Sequence, residues 1–261
     1  MRTVVVGTNP RAGAIAAALG VPAAETAPAQ ADLVVVCVEE YARIPPLPDG
    51  ADIVNLTSGT SGQAAGAANL FTGRYLDGAL MAHPEHVGRP ETVLVYSGSP
   101  EVFARNESQL ARLGSATYLG PDAGTASLYD AAMLNFAWAT LAGYLQTAAL
   151  LTSAGVAARA FTPMLNEWLR TTVADVIDDY AGQIDAGSYP GEEEWLELDE
   201  PLMRDLITVT EQRGMDAALP KVVQALTARG IAAGRGAESF ASLVEVIRGG
   251  GPGPIDRPAT A

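Results

Sequence analysis

Four short runs rich in Val, Ile and Leu, at Thr3–Val6, Leu33–Val38, Ile53–Leu56 and Thr92–Tyr96, limit more than any other feature what this chain can fold into. None of them alternates apolar with polar residues. A strand with one wet face shows that alternation, so unbroken runs suit strands covered on both faces. Between the first two lies AGAIAAALG, a short helix stopped by Gly20. Strand, helix and strand in succession predict a parallel α/β sheet.

Beyond Gly120 the pattern changes, and from about Thr125 the sequence reads as helix almost throughout. The stretch from Ala131 to Leu151 carries no charge and is long enough to span a bilayer. It is rich in Ala, contains Asn135 and Gln146, and has no basic cluster at either end. A helix apolar on all sides is equally suited to burial in a protein or a dimer, and that reading predicts no membrane span. The predicted organisation is a truncated Rossmann-like domain over 1–120, an interdomain helix over 121–152, an all-helical domain over 153–248 and a disordered tail over 249–261.

Composition removes several partners. With 16 basic and 30 acidic side chains the net charge is −14, which argues against nucleic acid and anionic membrane surfaces. The single cysteine, Cys37, allows no internal disulfide, and two histidines leave little for a metal site. Cys37 reads as a small buried residue in a strand. The opening TVVVG is too short for a signal peptide, and a reducing, cytoplasmic location is expected.

The segments NLTSGT (Asn55–Thr60), YLDGALMAHP (Tyr75–Pro84), VYSGS (Val95–Ser99) and LGPDAGTASLYDAAML (Leu119–Leu134) occur in an order and spacing that resemble the imine reductases, within the β-hydroxyacid dehydrogenase superfamily. The resemblance continues through AGQIDAGSYPG (Ala181–Gly191), TEQRGMDAALP and SLVEVIR. It implies an intertwined homodimer, a long helix joining a Rossmann domain to a helical domain, active sites between subunits, and NADPH reducing a C=N bond.

The first turn departs from that pattern. A dinucleotide site uses G-x-G-x-x-G so that backbone can approach the pyrophosphate at a helix N-terminus. Here Gly7 is followed by Asn9 and Ala12 at the second and third glycine positions, and Pro10 deletes an N–H. Only VPAAETAPAQAD, Val21 to Asp32, separates Gly20 from the next run, and EEYARIPPLPDG places three prolines where a crossover helix belongs. These losses predict a vestigial cofactor site at Gly7 and Asn9 and no NADPH bound in the usual way.

Asp130 is the leading catalytic candidate. It precedes the uncharged stretch, where an ionised carboxylate is costly without a partner, and a proton donor there can serve acid–base chemistry. In the resemblance it falls where imine reductases carry Asp or Tyr. The competing role is a helix cap. His83, in the MAHPEHVG loop with His86, is a second candidate acid. Asn55 ends a strand at the carboxyl edge of the sheet, where α/β ligands bind. By resemblance, Trp138, Met81 and Ser58 line the substrate pocket, and Trp168, Tyr180 and Tyr189 belong to the helical domain that closes over it.

The expected function is an imine-reductase-like enzyme of a specialised pathway. It acts on an imine, enamine or cyclic amine by acid–base catalysis (isomerisation, cyclisation, or addition or loss of water) without canonical NADPH binding, and no cofactor is favoured. The alternatives are an NADPH-dependent imine reductase and a catalytically silent dimer that binds a small molecule.

Overall fold

The computed structural model describes residues 2–71 and 73–249, and the chain divides into two units between Trp138 and Ala139. The tail expected over 249–261 lies outside the described residues from 250 onward.

Among the described residues of the first unit, seven strands form one sheet: β1 (Thr3–Val6), β2 (Ala23–Ala24), β3 (Leu33–Val36), β4 (Asp52–Asn55), β5 (Tyr75–Leu80), β6 (Val93–Gly98) and β7 (Ser115–Tyr118). Their order is β2-β1-β3-β4-β5-β6-β7. Every neighbouring pair is parallel except β5 and β6, so the expected parallel Rossmann-like sheet is present with one antiparallel pair. Because the chain passes from β1 to β2 on one side and to β3 on the other, the sheet reverses direction at β1, the place where α/β ligands bind.

Side chains alternate across these strands into two cores. Val5, Leu33 and Val35 pack with Ile15 and Leu19 of α1 (Pro10–Leu19) and with Val102 and Leu110 of α3 (Pro100–Leu110). Val4, Val6, Val34 and Val36 pack with Ile53, Tyr75, Ala67 and Phe71 on the face carrying α2 (Ser61–Leu70). Both faces are dry, and each buried Val or Leu contributes about 1.5–3 kcal/mol. The helices start where their caps stand. Asn9 caps α1 ahead of Pro10, Thr60 and Gln63 form a reciprocal capping box on α2, and Ser99 caps α3 ahead of Pro100.

The segment Val21–Asp32 holds a strand that its sequence hides. Ala23 and Ala24 pair with Val5 and Val6, and the Gly7 N–H donates to the Ala24 carbonyl at 2.9 Å. A two-residue edge strand buries too little to demand Val or Ile. β5 is also concealed, because YLDGAL puts Asp77 and Gly78 inside a fully buried strand. A Cβ on Gly78 would stand 2.7 Å from Leu56 and 2.8 Å from Tyr96. Between β3 and β4 runs a strap with one 3-10 turn at Tyr41–Arg43 in place of a crossover helix.

The helix α4 (Gly124–Ser153) is 30 residues long, and the Asp122 carboxylate accepts the Gly124 N–H at its start. Its buried residues, Gly124, Ala126, Ser127 and Asp130, all lie in the first two turns. The second unit contains α5 (Ala158–Trp168), α6 (Ala174–Ala186), α7 (Leu196–Gln212), α8 (Ala218–Gly230) and α9 (Leu243–Ile247). A π-helical turn at Leu169–Val173 joins α5 to α6. No helix among the described residues is long and apolar enough to cross a membrane.

Candidate active site

Asp77 lies within β5, 1% exposed, and its carboxylate collects four donors. Oδ1 accepts from the Tyr41 hydroxyl at 2.9 Å, the Tyr75 hydroxyl at 3.0 Å and Asn55 Nδ2 at 3.4 Å, and Oδ2 accepts from the Ser127 hydroxyl at 2.6 Å. The parallel register of β4 with β5 puts Asn55 directly beside Asp77. Burial pushes the Asp77 carboxyl above the ordinary carboxylate range, against the pull of these hydrogen bonds. Burial, reinforced by the Asp77 charge, pushes Tyr41 up to about 12 and raises Tyr75 as well, so both phenols stay protonated as donors. Tyr75, Asp77 and Ser127 lie within the segments that resemble the imine reductases but are not singled out there, and Tyr41 lies outside them. The available signal is a single acid inside the apolar YLDGAL.

Asn55 is consumed by this network. Its Oδ1 accepts the Thr57 N–H at 3.1 Å and its Nδ2 donates to the Tyr75 hydroxyl at 3.0 Å. It is 1% exposed, which makes it a positioning residue in this geometry. Ser58, three residues on, is exposed. Below the strap lies a cavity of about 650 Å³ walled by Tyr41, Ile44, Leu47, Phe71, Asn55 and Tyr75.

Asp130 is the seventh residue of α4, one turn beyond Ser127 on the helix's buried side. That position is past the first turn, which removes the capping role considered for it. It is 6% exposed, and its carboxylate makes no hydrogen bond or ion pair among the described residues. A buried acid without a partner is costly and so calls for a functional explanation. Met81 packs on Ala79, Val95 and Ala126 of the same region. Trp138 is 69% exposed on α4. His83 is exposed, with its ring edge-on to His86 at 6.3 Å.

The first βα turn is tight. Gly7 has φ +143, and a Cβ there would stand 2.1 Å from the Cys37 carbonyl, so only glycine fits. Asn9 is spent inside the protein: Oδ1 accepts the Ala12 N–H and Nδ2 donates to the Cys37 carbonyl, both at 2.9 Å. Its side chain thus serves the turn and the start of α1. Burial pushes the Cys37 thiol up to about 11, as suits an inert side chain. Thr8 is exposed at the start of α1, and Arg11, at its second position, makes no ion pair or hydrogen bond among the described residues. Helix dipole, free cation and hydroxyl suit a diphosphate. The described residues hold no cluster of three or more His, Cys, Asp or Glu suited to a metal ion.

In the second unit, Trp168 ends α5 and is 54% exposed. The Tyr180 hydroxyl donates to Glu194 at 2.9 Å and the Tyr189 hydroxyl to Glu245 at 2.6 Å. Both phenols are therefore engaged within the unit, and Tyr189 is buried as well.

A Rossmann-like sheet with a glycine at its first turn, followed by a long helix and a helical unit, defines a class: the dinucleotide-linked reductases built in two parts. Comparison narrows this. Residues 122–249 match the family model described as "NADPH-dependent reductive aminase-like, C-terminal domain". An NADPH-dependent reductive aminase of Aspergillus oryzae (strain ATCC 42149 / RIB 40) is 34% identical over 234 residues, covering 84% of this chain and 79% of the relative. A reductive aminase from Aspergillus terreus, solved in complex with NADPH and ethyl levulinate, is similar with TM-score 0.88 and 31% identity over 95% of this chain and 99% of that one. An imine reductase from the same organism, with NADPH4 and dibenz[c,e]azepine, gives TM-score 0.85 and 30% identity over 94% of this chain and 98% of that one. The chain belongs to the imine reductase family.

That membership corrects the expected cofactor-free isomerase, cyclase or hydratase. The matched domain and the fungal relative are described as NADPH-dependent. The lost glycines mislead because the turn keeps the one glycine its geometry requires, β2 persists beside β1, and Arg11 stands unpaired at the helix start.

Proposed function

We propose that this enzyme reduces the C=N bond of an imine, preformed or condensed from a carbonyl compound and an amine. When bound, a reduced nicotinamide dinucleotide, NADPH in the relatives, would provide the hydride for this reduction. Asp130 delivers the proton to the nitrogen, so that R2C=NR′, hydride and proton become R2CH–NHR′. The observation that carries this reading is the buried, unpartnered carboxyl of Asp130. A keto ester and an azepine accompany the related structures, which supports small carbonyl, amine and cyclic imine substrates.

Arg11 and Thr8 hold the diphosphate, Asn55 and Asp77 brace the carboxyl edge of the sheet, and Met81, Ser58 and Trp138 contact the substrate. Trp168, Tyr180 and Tyr189 offer aromatic faces from the helical domain, and His83 is the reserve acid. We assign residues 1–120 to cofactor binding, 121–152 to the connecting helix and 153–248 to the helical domain. The active form is a homodimer, because α4 leaves Leu128, Met133, Phe136, Leu141 and Leu145 exposed and such a surface needs cover. Incubating the protein with a cyclic imine and reduced cofactor tests the reading. Cofactor oxidation in step with formation of the secondary amine supports it, and an imine left unchanged overturns it.

A further inference from the structure

We infer that Glu25 selects the cofactor of this chain, holding the adenosine ribose as a free 2′,3′-diol, so that NADH is bound in preference to NADPH. The inference rests on the dinucleotide-dependent reading above and concerns the adenosine end of that same site.

Three observations place Glu25. β2 pairs parallel with β1 through Val5–Ala23 and Val6–Ala24. The Gly7 N–H donates to the Ala24 carbonyl at 2.9 Å, which ties the end of β2 to the first βα turn. Glu25 is the next residue, exposed, with no hydrogen bond or ion pair among the described residues. In a Rossmann unit the end of the second strand meets the adenosine ribose. A carboxylate there accepts hydrogen bonds from the 2′- and 3′-hydroxyls, whereas a 2′-phosphate calls for Arg.

The charge around the site agrees. No Lys or Arg occurs between Arg11 and Arg43, while Glu25, Asp32, Glu39 and Glu40 all fall in that interval. Arg43 is engaged with Glu39 and Glu40. Arg11 sits in the first turn of α1, where the diphosphate belongs. A 2′-phosphate at the end of β2 would therefore meet the Glu25 carboxylate and no Lys or Arg from residues 12–42. The Arg2 guanidinium reaches this segment at Gln30, where it donates to the side-chain carbonyl at 3.3 Å, five residues beyond Glu25.

Binding of NADH, NADPH, NAD+ and NADP+ to the full-length protein, followed by calorimetry, reads the discrimination without turnover. NADH is expected to bind at least about tenfold tighter than NADPH, the worth of one unpaired charged contact. Glu25→Gln should weaken NADH by about tenfold and leave NADPH unchanged or tighter, and Glu25→Arg should reverse the order. Tighter binding of NADPH by the natural protein, or discrimination unmoved in both variants, overturns the inference while the reductase reading stands. Failure of all four dinucleotides to bind overturns both. The site is exposed, so the variants should keep the natural thermal midpoint.

Discussion

The Ser127 hydroxyl donates to Asp77 Oδ2 at 2.6 Å, and this bond ties the start of α4 to the interior of β5. Asp130 lies one turn further along the same side of α4. Two acids of opposite character thus face the start of α4: Asp77 accepts four hydrogen bonds, and Asp130 accepts none among the described residues.

Asp77→Ala should be strongly destabilising. It leaves the Tyr41, Tyr75, Asn55 and Ser127 donors facing a buried gap, a loss of roughly 3–5 kcal/mol. At the size of this unit that corresponds to a thermal midpoint lower by roughly 6–20 °C. Scanning calorimetry checks it, and Ser127→Ala should show a smaller loss of about 1–2 kcal/mol.

Asp130→Asn should separate activity from stability. If Asp130 protonates the imine nitrogen, kcat/KM falls by about 10²- to 10⁴-fold. Its carboxylate has no partner to lose, so the thermal midpoint should hold or rise. Rate and midpoint measured on one preparation check both. A fully active variant would transfer the acid role to His83.

The helical unit should lose stability as pH rises. Burial, then the hydrogen bond and charge of Glu194, push Asp199 up to about 7. Against its own burial, Glu194 is held below the ordinary range by Asp199, the Phe240 N–H and the Tyr180 hydroxyl. A carboxyl raised in the folded state stabilises below its unfolded pKa, near 4, and that stability fades as pH climbs through 7. Thermal midpoints between about pH 5 and 8 should fall in the natural protein and fall less in Asp199→Asn, which keeps a donor but cannot ionise.

Dimerisation should depend on α4. Leu141 and Leu145 are 52% and 65% exposed, and an obligate interface covering that helix should exceed about 2,000 Å². Replacing both with Asp should convert a dimer to a monomer at micromolar concentration in sedimentation velocity. A natural protein already monomeric under those conditions would refute the dimer.

What the sequence settled by itself is whatever depends on local pattern. Unbroken Val and Leu runs can be only doubly covered strands, Asn9-Pro10 and Ser99-Pro100 set helix starts, and prolines forbid a helix between β3 and β4. The family motifs were equally legible because they are contiguous. Tertiary structure decided whatever depends on who stands beside whom. Ala23–Ala24 becomes a strand only because β1 offers it a parallel edge. Asp77 looks like a fault in β5 until Tyr41 and Ser127 reach it from the strap and from α4, beside Tyr75 of its own strand. Asn9 looks like a failed glycine until its side chain is seen to cap α1 and bond the Cys37 carbonyl. The cofactor turn was misread for the same reason: a motif records which residues are missing, while the fold shows which contacts the remaining ones still make.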